Sequence, residues 1–211
     1  MEGNKSETID ESLYSRQLYV MGHEAQQKMQ KADVLLVGLN GLGVEAAKNI
    51  ILAGVKSVTL YDPTLVSFED LSSHFFLTEF DIGKPRAEVT MPKLAELNPY
   101  VNVSVLQTTL DFAAVEKFSC VVLVDSKLDT AISIGDFCHA KNICFIMGDT
   151  RGVFGRIFCD FGDNFFCSDA NGEAPTSAMI ASVTNDSPAL VTVLEEMRHN
   201  LESGDTVGDL L

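Results

Sequence analysis

Basic residues are scarce in this sequence. Lysine and arginine together number 15, against 30 aspartates and glutamates, and the formal net charge at pH 7 is −15. No stretch gathers a cluster of basic side chains that could offset the repulsion of a phosphate backbone. The composition therefore excludes DNA and RNA as expected partners, and solubility is the simplest role for the acidic excess.

Cysteine is also sparse and badly spaced for metal binding. The five cysteines form no Cys-x-x-Cys pair, and the four histidines lie at scattered positions. We therefore predict no zinc site and no other metal site in this chain. An odd cysteine count is typical of a protein from a reducing compartment.

Long apolar runs are missing as well. No run reaches the roughly 18 apolar residues of a membrane-spanning helix, so we predict no membrane span. Residues 1–12 are polar and acidic, which fits neither a secretory nor a mitochondrial leader, and we expect a disordered tail there. Hydrophobic residues still make up 46% of the 211 residues, enough for one packed domain and a smaller second piece.

Short apolar runs alternate with helical patterns from residue 31 to residue 148. The run at 34–37 is continuously apolar and ends in glycine, which is typical of a strand buried on both faces of a parallel sheet. This order of elements predicts an α/β fold, a Rossmann-like, doubly wound and mostly parallel sheet. We predict short helices within 13–30, helices at 42–53, 85–98 and 128–141, and strands at 34–37, 57–61, 101–106, 120–125 and 143–147.

Helical periodicity ends after Gly148, and glycines punctuate short apolar runs from there on. We predict a short β-rich segment with strands at 156–161, 178–183 and 190–194, the last two joined by a turn at 185–188. About 55 residues are marginal for an independent core. No closing element follows, so we expect the sequence to be part of a longer chain.

The turn after the first strand reads Gly38-Leu39-Asn40-Gly41-Leu42-Gly43. A strand, a glycine-rich turn and a helix N-terminus make an anion site, and Asp62, at the end of the second strand, lies where an acid can bond a ribose. Asn40 replaces the middle glycine of the dinucleotide motif, however, and its side chain crowds the position of the phosphates. On these residues the turn either binds a nucleotide or only shapes the fold.

Several stretches together resemble the ubiquitin-activating enzymes. One is the segment around Tyr14-Ser15-Arg16-Gln17; the others are residues 41–52, 70–73, 81–88, 95–98, 149–152, 158–162 and 198–205. In that family two related adenylation domains pair, and one of them adenylates the ubiquitin C-terminus with ATP and Mg²⁺ before transfer to a cysteine. The β-rich segment fused to this domain favours the single-chain ubiquitin enzyme over the separate subunits of the SUMO-type enzymes.

The resemblance implies that this chain is the N-terminal, inactive partner. The position of a phosphate-binding arginine is Ser73, and the positions of the metal-binding Asp-Asn pair are Ser126 and Lys127. Arg86 stands in place of the catalytic lysine. We therefore expect no nucleotide and no metal in this half, where Gly38, Asn40, Gly41, Gly43 and Asp62 would be vestiges of a binding site.

Arg16 is the one residue to which the resemblance gives a catalytic role. In paired adenylation domains of this kind, the arginine of the Tyr-x-Arg-Gln motif reaches the ATP site of the other half. The implied partners are the catalytic adenylation half of the same chain, ubiquitin and ubiquitin-conjugating enzymes, with ATP and Mg²⁺ as cofactors of the complete enzyme. The implied location is cytoplasmic and nuclear, and the chain alone is expected to be inactive.

The resemblance also divides the chain into a tail at 1–12, an inactive adenylation domain at 13–155 and part of the first catalytic-cysteine half-domain at 156–211. Despite its name, that half-domain does not supply the reactive cysteine. The aromatic and acidic neighbours of Cys159 and Cys167 disfavour the thiolate form, so neither is expected to be the nucleophile. The main alternative is an NAD-dependent oxidoreductase that uses the turn at Gly38 to Gly43 together with Asp62.

Overall fold

The computed structural model of the protein describes residues 11–166, 178–184 and 191–195. By contact density the chain divides into two compact units, Met1–Cys167 and Ser168–Leu211. Among the described residues, no helix has both the length and the apolarity needed to cross a bilayer.

Helices and strands alternate through the first unit in the predicted order. The helices are α1 (Glu11–Met29), α2 (Gly41–Ala53), α3 (Arg86–Ala95), α4 (Phe112–Val115) and α5 (Leu128–Lys141). The strands are β1 (Asp33–Val37), β2 (Ser57–Tyr61), β3 (Asn102–Val105), β4 (Cys120–Val124), β5 (Cys144–Arg151) and β6 (Phe154–Asp160). Two short 3-10 helices, Glu69–Ser72 and Glu79–Asp81, interrupt the connection between β2 and α3.

The strands of the first unit form one sheet in the order β3-β2-β1-β4-β5-β6. Strands β1 to β5 pair in parallel, and β6 pairs antiparallel with β5 at one edge. Alternate residues of β1 enter two separate cores: Val34 and Leu36 pack with α2 and α3, whereas Leu35 and Val37 pack with α4 and α5. Helices therefore cover both faces of a mostly parallel sheet, which confirms the predicted fold class.

Local sequence fixes where the helices begin and end. The backbone of Gly54 takes the left-handed conformation that closes α2, with φ of 82°, and Asn142 does the same for α5, with φ of 54°. Helix α1 consists of two helical segments that meet at Gly22, whose φ of 76° and ψ of 171° are not helical. This break confirms the short helices predicted between residues 13 and 30.

Strand β5 is longer than its apolar run indicates. The run ends at Met147, but the strand continues to Arg151 because β6 pairs with it from Phe145 to Arg151. Strand β6 thus completes the sheet of the first unit. The predicted domain boundary after residue 155 falls inside β6, and the division of the two compact units falls after Cys167.

The described part of the second unit contains β7 (Ala178–Val183) and β8 (Val191–Glu195), which pair antiparallel. The β-rich character predicted for this segment is therefore confirmed. The turn predicted at residues 185–188 lies outside the described residues.

Candidate functional site

The glycines at the two ends of the turn are required by the backbone itself. Gly38 has φ of 90°, and a Cβ atom there would lie 2.5 Å from the carbonyl oxygen of Val124. A Cβ atom at Gly43 would lie 1.9 Å from the carbonyl oxygen of Gly38. Gly38 therefore lets the turn pass close to the end of β4, and Gly43 lets α2 start close to the end of β1. Both glycines would be needed whether or not a ligand binds.

Asn40 caps α2 with its own side chain. Its Oδ1 accepts a hydrogen bond from the backbone N–H of Gly43 at 3.0 Å, and its Nδ2 donates to the carboxylate of Asp125. The capping oxygen thus binds an N–H group of the helix N-terminus that would otherwise be free for an anion. The side chain stands where the middle glycine of the nucleotide motif would leave open space.

Ser73 lies against the same turn. It follows the 3-10 helix Glu69–Ser72, and a Cβ atom at Gly41 would lie 2.8 Å from Ser73 Cβ and 2.9 Å from Ser73 Oγ. At the position where the resemblance places a phosphate-binding arginine, this chain has a short hydroxyl side chain in contact with the backbone of the turn. Ser73 carries no positive charge to attract a phosphate.

Asp62 is buried at the end of β2, and both of its carboxylate oxygens are bonded within the protein. Oδ2 accepts from the backbone N–H of Leu39 at 2.7 Å and from Arg86 Nη1 at 2.8 Å, while Oδ1 accepts from the N–H of Thr64 at 3.0 Å. A ribose hydroxyl would have to compete with these donors. The position of Asp62 matches the nucleotide motif, but its contacts are those of a structural residue.

Arg86 joins two carboxylates below the turn. Its second guanidinium nitrogen, Nη2, lies 3.0 Å from Asp70, and the arginine side chain is only 12% exposed. Burial alone would raise the pKa of Asp70, but the backbone N–H of Ser67 and the Arg86 guanidinium outweigh burial and lower that pKa. Arg86 therefore forms ion pairs with two carboxylates at once. These three residues (Asp62, Asp70, Arg86) are called the Arg86 cluster below.

The end of β4 offers no ligand set for a metal ion. Asp125 accepts hydrogen bonds from the N–H of Thr150 at 2.8 Å and from Arg151 Nη1 at 2.9 Å, besides that from Asn40. The next two residues, Ser126 and Lys127, bring no carboxylate, and Lys127 is exposed at the start of α5. Among the described residues, no group of three or more metal-binding side chains converges. These residues do not fit Mg²⁺ or the triphosphate that it accompanies.

Arg16 lies away from this turn, on the first segment of α1. Its motif neighbours Tyr14 and Gln17 face inward: Tyr14 is buried, and Gln17 Nε2 donates to the carbonyl of Ala53 at 2.9 Å. Arg16 itself is exposed on the opposite side of the helix, as are Tyr19 and Val20. The structure thus brings together the residues around the glycine-rich turn, whereas Arg16 lies on the exposed face of α1.

Burial suppresses the ionisation of two of the described cysteines. Burial raises the pKa of Cys120 to about 12 and that of Cys138 to about 11. Cys159 is exposed on β6 as a free thiol, and Cys167 lies outside the described residues. Two of these thiols are therefore core residues that stay protonated at neutral pH.

Two groups of side-chain contacts could not be predicted from the sequence. One is the Arg86 cluster, because Asp70 carries no signal of pairing with a residue that follows it by sixteen positions. The other joins Tyr14 to Asn98, which donates to the tyrosine hydroxyl at 3.1 Å. Both bring together elements that are distant in the sequence, and neither follows a local periodic pattern.

Comparison with known proteins supports the resemblance seen in the motifs. The sequence profile of the ThiF family matches residues 14–196. Ubiquitin-activating enzyme E1 1 of Schizosaccharomyces pombe is 58% identical over 200 residues, and ubiquitin-like modifier-activating enzyme 1 of Mus musculus is 54% identical over 208 residues. The matches cover 95% and 98% of this chain but 20% of each relative, so the chain spans about a fifth of the length of these curated relatives.

Solved structures of MccB from E. coli share the fold. The complex with succinimide matches with a TM-score of 0.63 and 20% identity, covering 72% of this chain and 49% of MccB. The complex with MccA-N7isoASN matches with a TM-score of 0.64 and 19% identity, covering 82% and 54%. The structural likeness establishes the Rossmann-like fold, and the profile match, which spans most of the sequence, shows that the chain belongs to the ThiF family.

Proposed function

We propose that this chain is the non-catalytic adenylation half of a ubiquitin-activating enzyme. The complete enzyme would adenylate the ubiquitin C-terminus with ATP and transfer it to a cysteine. The observation that carries the proposal is the set of contacts that the chain makes with its own turn. Asn40 caps the helix, Ser73 covers Gly41, and Arg86 holds Asp62.

The charges around the turn support the same proposal. Burial alone would raise the pKa of Asp125, but hydrogen bonds from Thr150 and Asn40 outweigh burial and lower it, so the carboxylate is ionised at neutral pH. Arg151 already pairs with that carboxylate, and neither Ser126 nor Lys127 adds a second carboxylate that could help to bind a metal ion. ATP and Mg²⁺ would therefore bind in the catalytic half of the enzyme rather than in this half.

Arg16 is the residue that we propose contributes to the chemistry. An exposed guanidinium on a helix held firmly to the body of the domain can enter a neighbouring site and stabilise charge on a triphosphate. The Arg16 side chain is exposed. This leaves the guanidinium available for a partner, and the proposed partner is the catalytic adenylation half.

The test is ubiquitin-dependent exchange of pyrophosphate into ATP by the complete enzyme. Arg16→Ala should slow adenylate formation by roughly 2–4 kcal/mol of activation free energy, the usual value of one group that stabilises transition-state charge. Lys28→Ala is a matched control, because Lys28 is an exposed cation on the second segment of the same helix, paired with Glu24. An Arg16→Ala exchange rate equal to that of the control would refute the catalytic role.

The oxidoreductase alternative is not favoured. The curated relatives named above are ubiquitin-activating enzymes, and the carboxylate that would bind the ribose of NAD is already bonded to Leu39 and Arg86. Titration of the isolated chain with ATP and with NAD separates the two functions. The proposed function predicts no binding of either nucleotide, and micromolar affinity for NAD would restore the alternative.

The remaining parts of the proposal follow from the relatives rather than from individual residues. Ubiquitin and ubiquitin-conjugating enzymes would be partners of the complete enzyme, in the cytoplasm and the nucleus. Residues 156–211 would begin the first catalytic-cysteine half-domain and would not supply the reactive cysteine. Replacement of both Cys159 and Cys167 by serine should therefore leave the ubiquitin thioester intact on a non-reducing gel.

A further inference from the structure

The first segment of α1 is attached to the end of α2 by a short series of hydrogen bonds. Asn98, buried after α3, donates from Nδ2 to the hydroxyl oxygen of Tyr14 at 3.1 Å and to the carbonyl of Ile51 at 3.0 Å. Gln17 Nε2 donates to the carbonyl of Ala53 at 2.9 Å. Gln17 thereby satisfies the Ala53 carbonyl in the last turn of α2, and Asn98 adds a second donor to the Ile51 carbonyl, which also accepts the backbone N–H of Gly54 at 3.1 Å.

The fit around Tyr14 is close as well as polar. Its ring lies over Gly54, where a Cβ atom would come within 2.4 Å of the tyrosine hydroxyl oxygen. The left-handed conformation that Gly54 needs to end α2 and the space that Tyr14 needs therefore depend on the same glycine. Leu18, one helical turn beyond Tyr14, is also buried. The inner face of this helical segment therefore packs against the rest of the domain in one defined position.

The packing of the inner face of this segment of α1 determines where the side chains of its outer face lie. Tyr14, Gln17 and Leu18 have the spacing of a single helical face, and Arg16 and Tyr19 lie on the other side. Tyr19 is 92% exposed. Because a helix is rigid over two turns, rotation or sliding of the inner face on α2 would move the Arg16 guanidinium by a similar distance. A misplacement of about 1 Å is enough to weaken a catalytic contact severely.

We infer that Tyr14, Gln17 and Asn98 are positioning residues, which hold the Arg16 helix in register on the end of α2. This inference rests on the proposed function of Arg16. The three residues touch neither ATP nor ubiquitin in this scheme; they act through Arg16. Positioning of this kind lowers the conformational freedom that the arginine would lose when it enters the site of the catalytic half.

Gln17→Glu in the complete enzyme tests the inference with the smallest change of shape. Glutamate keeps the size of the side chain but has no N–H to donate, and its charge faces the carbonyl end of α2, which repels it. In pyrophosphate exchange kcat should fall about 2- to 10-fold, the value of one lost hydrogen bond, and the KM for ATP should change less, because Arg16 is proposed to act on the transition state. A merely structural defect would instead lower the fraction of active enzyme and leave the rate per active site unaltered, which active-site titration separates.

Gln27→Glu is the matched control, since it makes the same chemical change at an exposed position of the second segment of α1. It should leave both kinetic constants unaltered. Amide hydrogen exchange adds a readout that does not depend on activity: Gln17→Glu and Asn98→Ala should speed exchange in residues 12–21 while the amides of β1 and β4 remain protected.

A double-mutant cycle separates the failure of this inference from the failure of the proposed function. If Gln17 acts through Arg16, Gln17→Glu should add little to an enzyme that already carries Arg16→Ala. Full additivity of the two changes, or unaltered exchange in residues 12–21, would overturn the positioning role while leaving Arg16 in place. An Arg16→Ala enzyme with normal exchange of pyrophosphate would instead overturn the proposed function itself.

Discussion

The side chain of Asn40 makes a hydrogen bond inside the glycine-rich turn. Asn40 occupies the point where the dinucleotide motif needs a glycine, and it binds the N–H of Gly43 and the carboxylate of Asp125. The cap satisfies the helix N-terminus from inside the chain, so the turn keeps its shape without a ligand. At this position the capping bond to the N–H of Gly43 comes from the chain itself.

The change Asn40→Gly restores the motif and should still not restore nucleotide binding. Ser73 covers Gly41, Asp62 remains bonded to Arg86, and no carboxylate is added for a metal ion. Glycine is itself an acceptable cap, so the loss of capping should cost only a few tenths of a kcal/mol. Isothermal titration of the variant with Mg-ATP should show no heat of binding, whereas a micromolar dissociation constant would mean that Asn40 alone closes the site.

The Arg86 cluster should contribute measurably to the free energy of unfolding. Arg86→Met removes the cation shared by Asp62 and Asp70 and leaves two nearly buried carboxylates without it. Breaking such a pair should cost about 3 kcal/mol in urea unfolding at pH 7. Arg151→Met is the control, because Arg151 pairs with Asp125 but is 65% exposed, and its loss should cost less than about 1 kcal/mol.

The loss of unfolding free energy caused by Arg86→Met should depend on pH in a defined direction. The folded-state pKa of Asp70 is lowered from 3.8, so its contribution to stability is complete above 3.8 and is lost as the pH falls through the lower folded value. The gap in unfolding free energy between the wild-type chain and Arg86→Met should therefore narrow on acidification below about pH 4. A gap that is constant between neutral and acidic pH would show that the Asp70 carboxylate does not gain stability from Arg86.

At the scale of elements, the sequence predicts what is periodic and misses what is imposed by neighbours. The strand at 57–61 and the helix at 128–141 have the predicted bounds, since apolar spacing and a following Asn142 or Asp62 mark them clearly. Strand β5 was predicted too short because its last residues are polar and are held by β6 rather than by apolar burial. Helix α4 has four residues, too few to show a period.

In the candidate site too, the local features could be predicted from the sequence and the long-range contacts could not. The motif places Gly38, Gly43 and Asp62 correctly around one strand end, because a strand, a turn and a helix are local in sequence. The partners of Asp62 could not be predicted, since Arg86 reaches it from another element across the connection that contains Asp70. The contacts of Arg86 with Asp62 and Asp70 are long-range, and a single sequence carries no periodic signal for those.

Helix α5 and strand β6 are joined by a contact that should depend on pH. His139 Nδ1 lies 3.0 Å from Asp160, its Nε2 lies 3.7 Å from Asp163, and Asp136 stands nearby on the same helix. The hydrogen bond to Asp160 and the surrounding negative charge raise the pKa of His139 above 6.5. The contact therefore stabilises the folded chain fully below pH 6.5 and is lost as the pH rises through the folded value.

Titration of the histidine ring signals by NMR checks this contact directly. Asp160→Asn should bring the pKa of His139 down toward its ordinary value, because it removes the carboxylate that binds the protonated ring. Asp163→Asn should have a smaller effect, since Asp163 is farther away and 85% exposed. Equal shifts in the two variants would indicate a general effect of acidic charge rather than a specific pair.

At the scale of the whole molecule, the assignment of β6 decides where the first unit ends. The resemblance divides the chain after residue 155, whereas the contacts divide it after Cys167. Strand β6 is hydrogen-bonded to β5 from Phe145 to Arg151, and Arg156 of β6 binds Asp149, whose side chain is only 3% exposed. These contacts make β6 part of the sheet of the first unit in physical terms.

Two truncated chains should therefore behave differently. A chain that ends at Cys167 keeps β6 and should unfold in one cooperative transition. A chain that ends at Gly155 loses the edge strand, and the buried carboxylate of Asp149 loses its arginine, which alone should cost about 2–3 kcal/mol. We expect the shorter chain to show a lower midpoint in urea and faster amide exchange in β5.

The change Arg156→Gln in the chain ending at Cys167 separates the ion pair from the strand. Glutamine can still donate one hydrogen bond to Asp149 but carries no charge, so this variant should show only part of the loss. The remainder belongs to the ladder between β5 and β6 and to the contact between Phe145 and Phe158, whose ring centres lie 6.4 Å apart. If the two truncated chains proved equally stable, β6 would be an appendage of the sheet, and the boundary after residue 155 would be the one that describes folding.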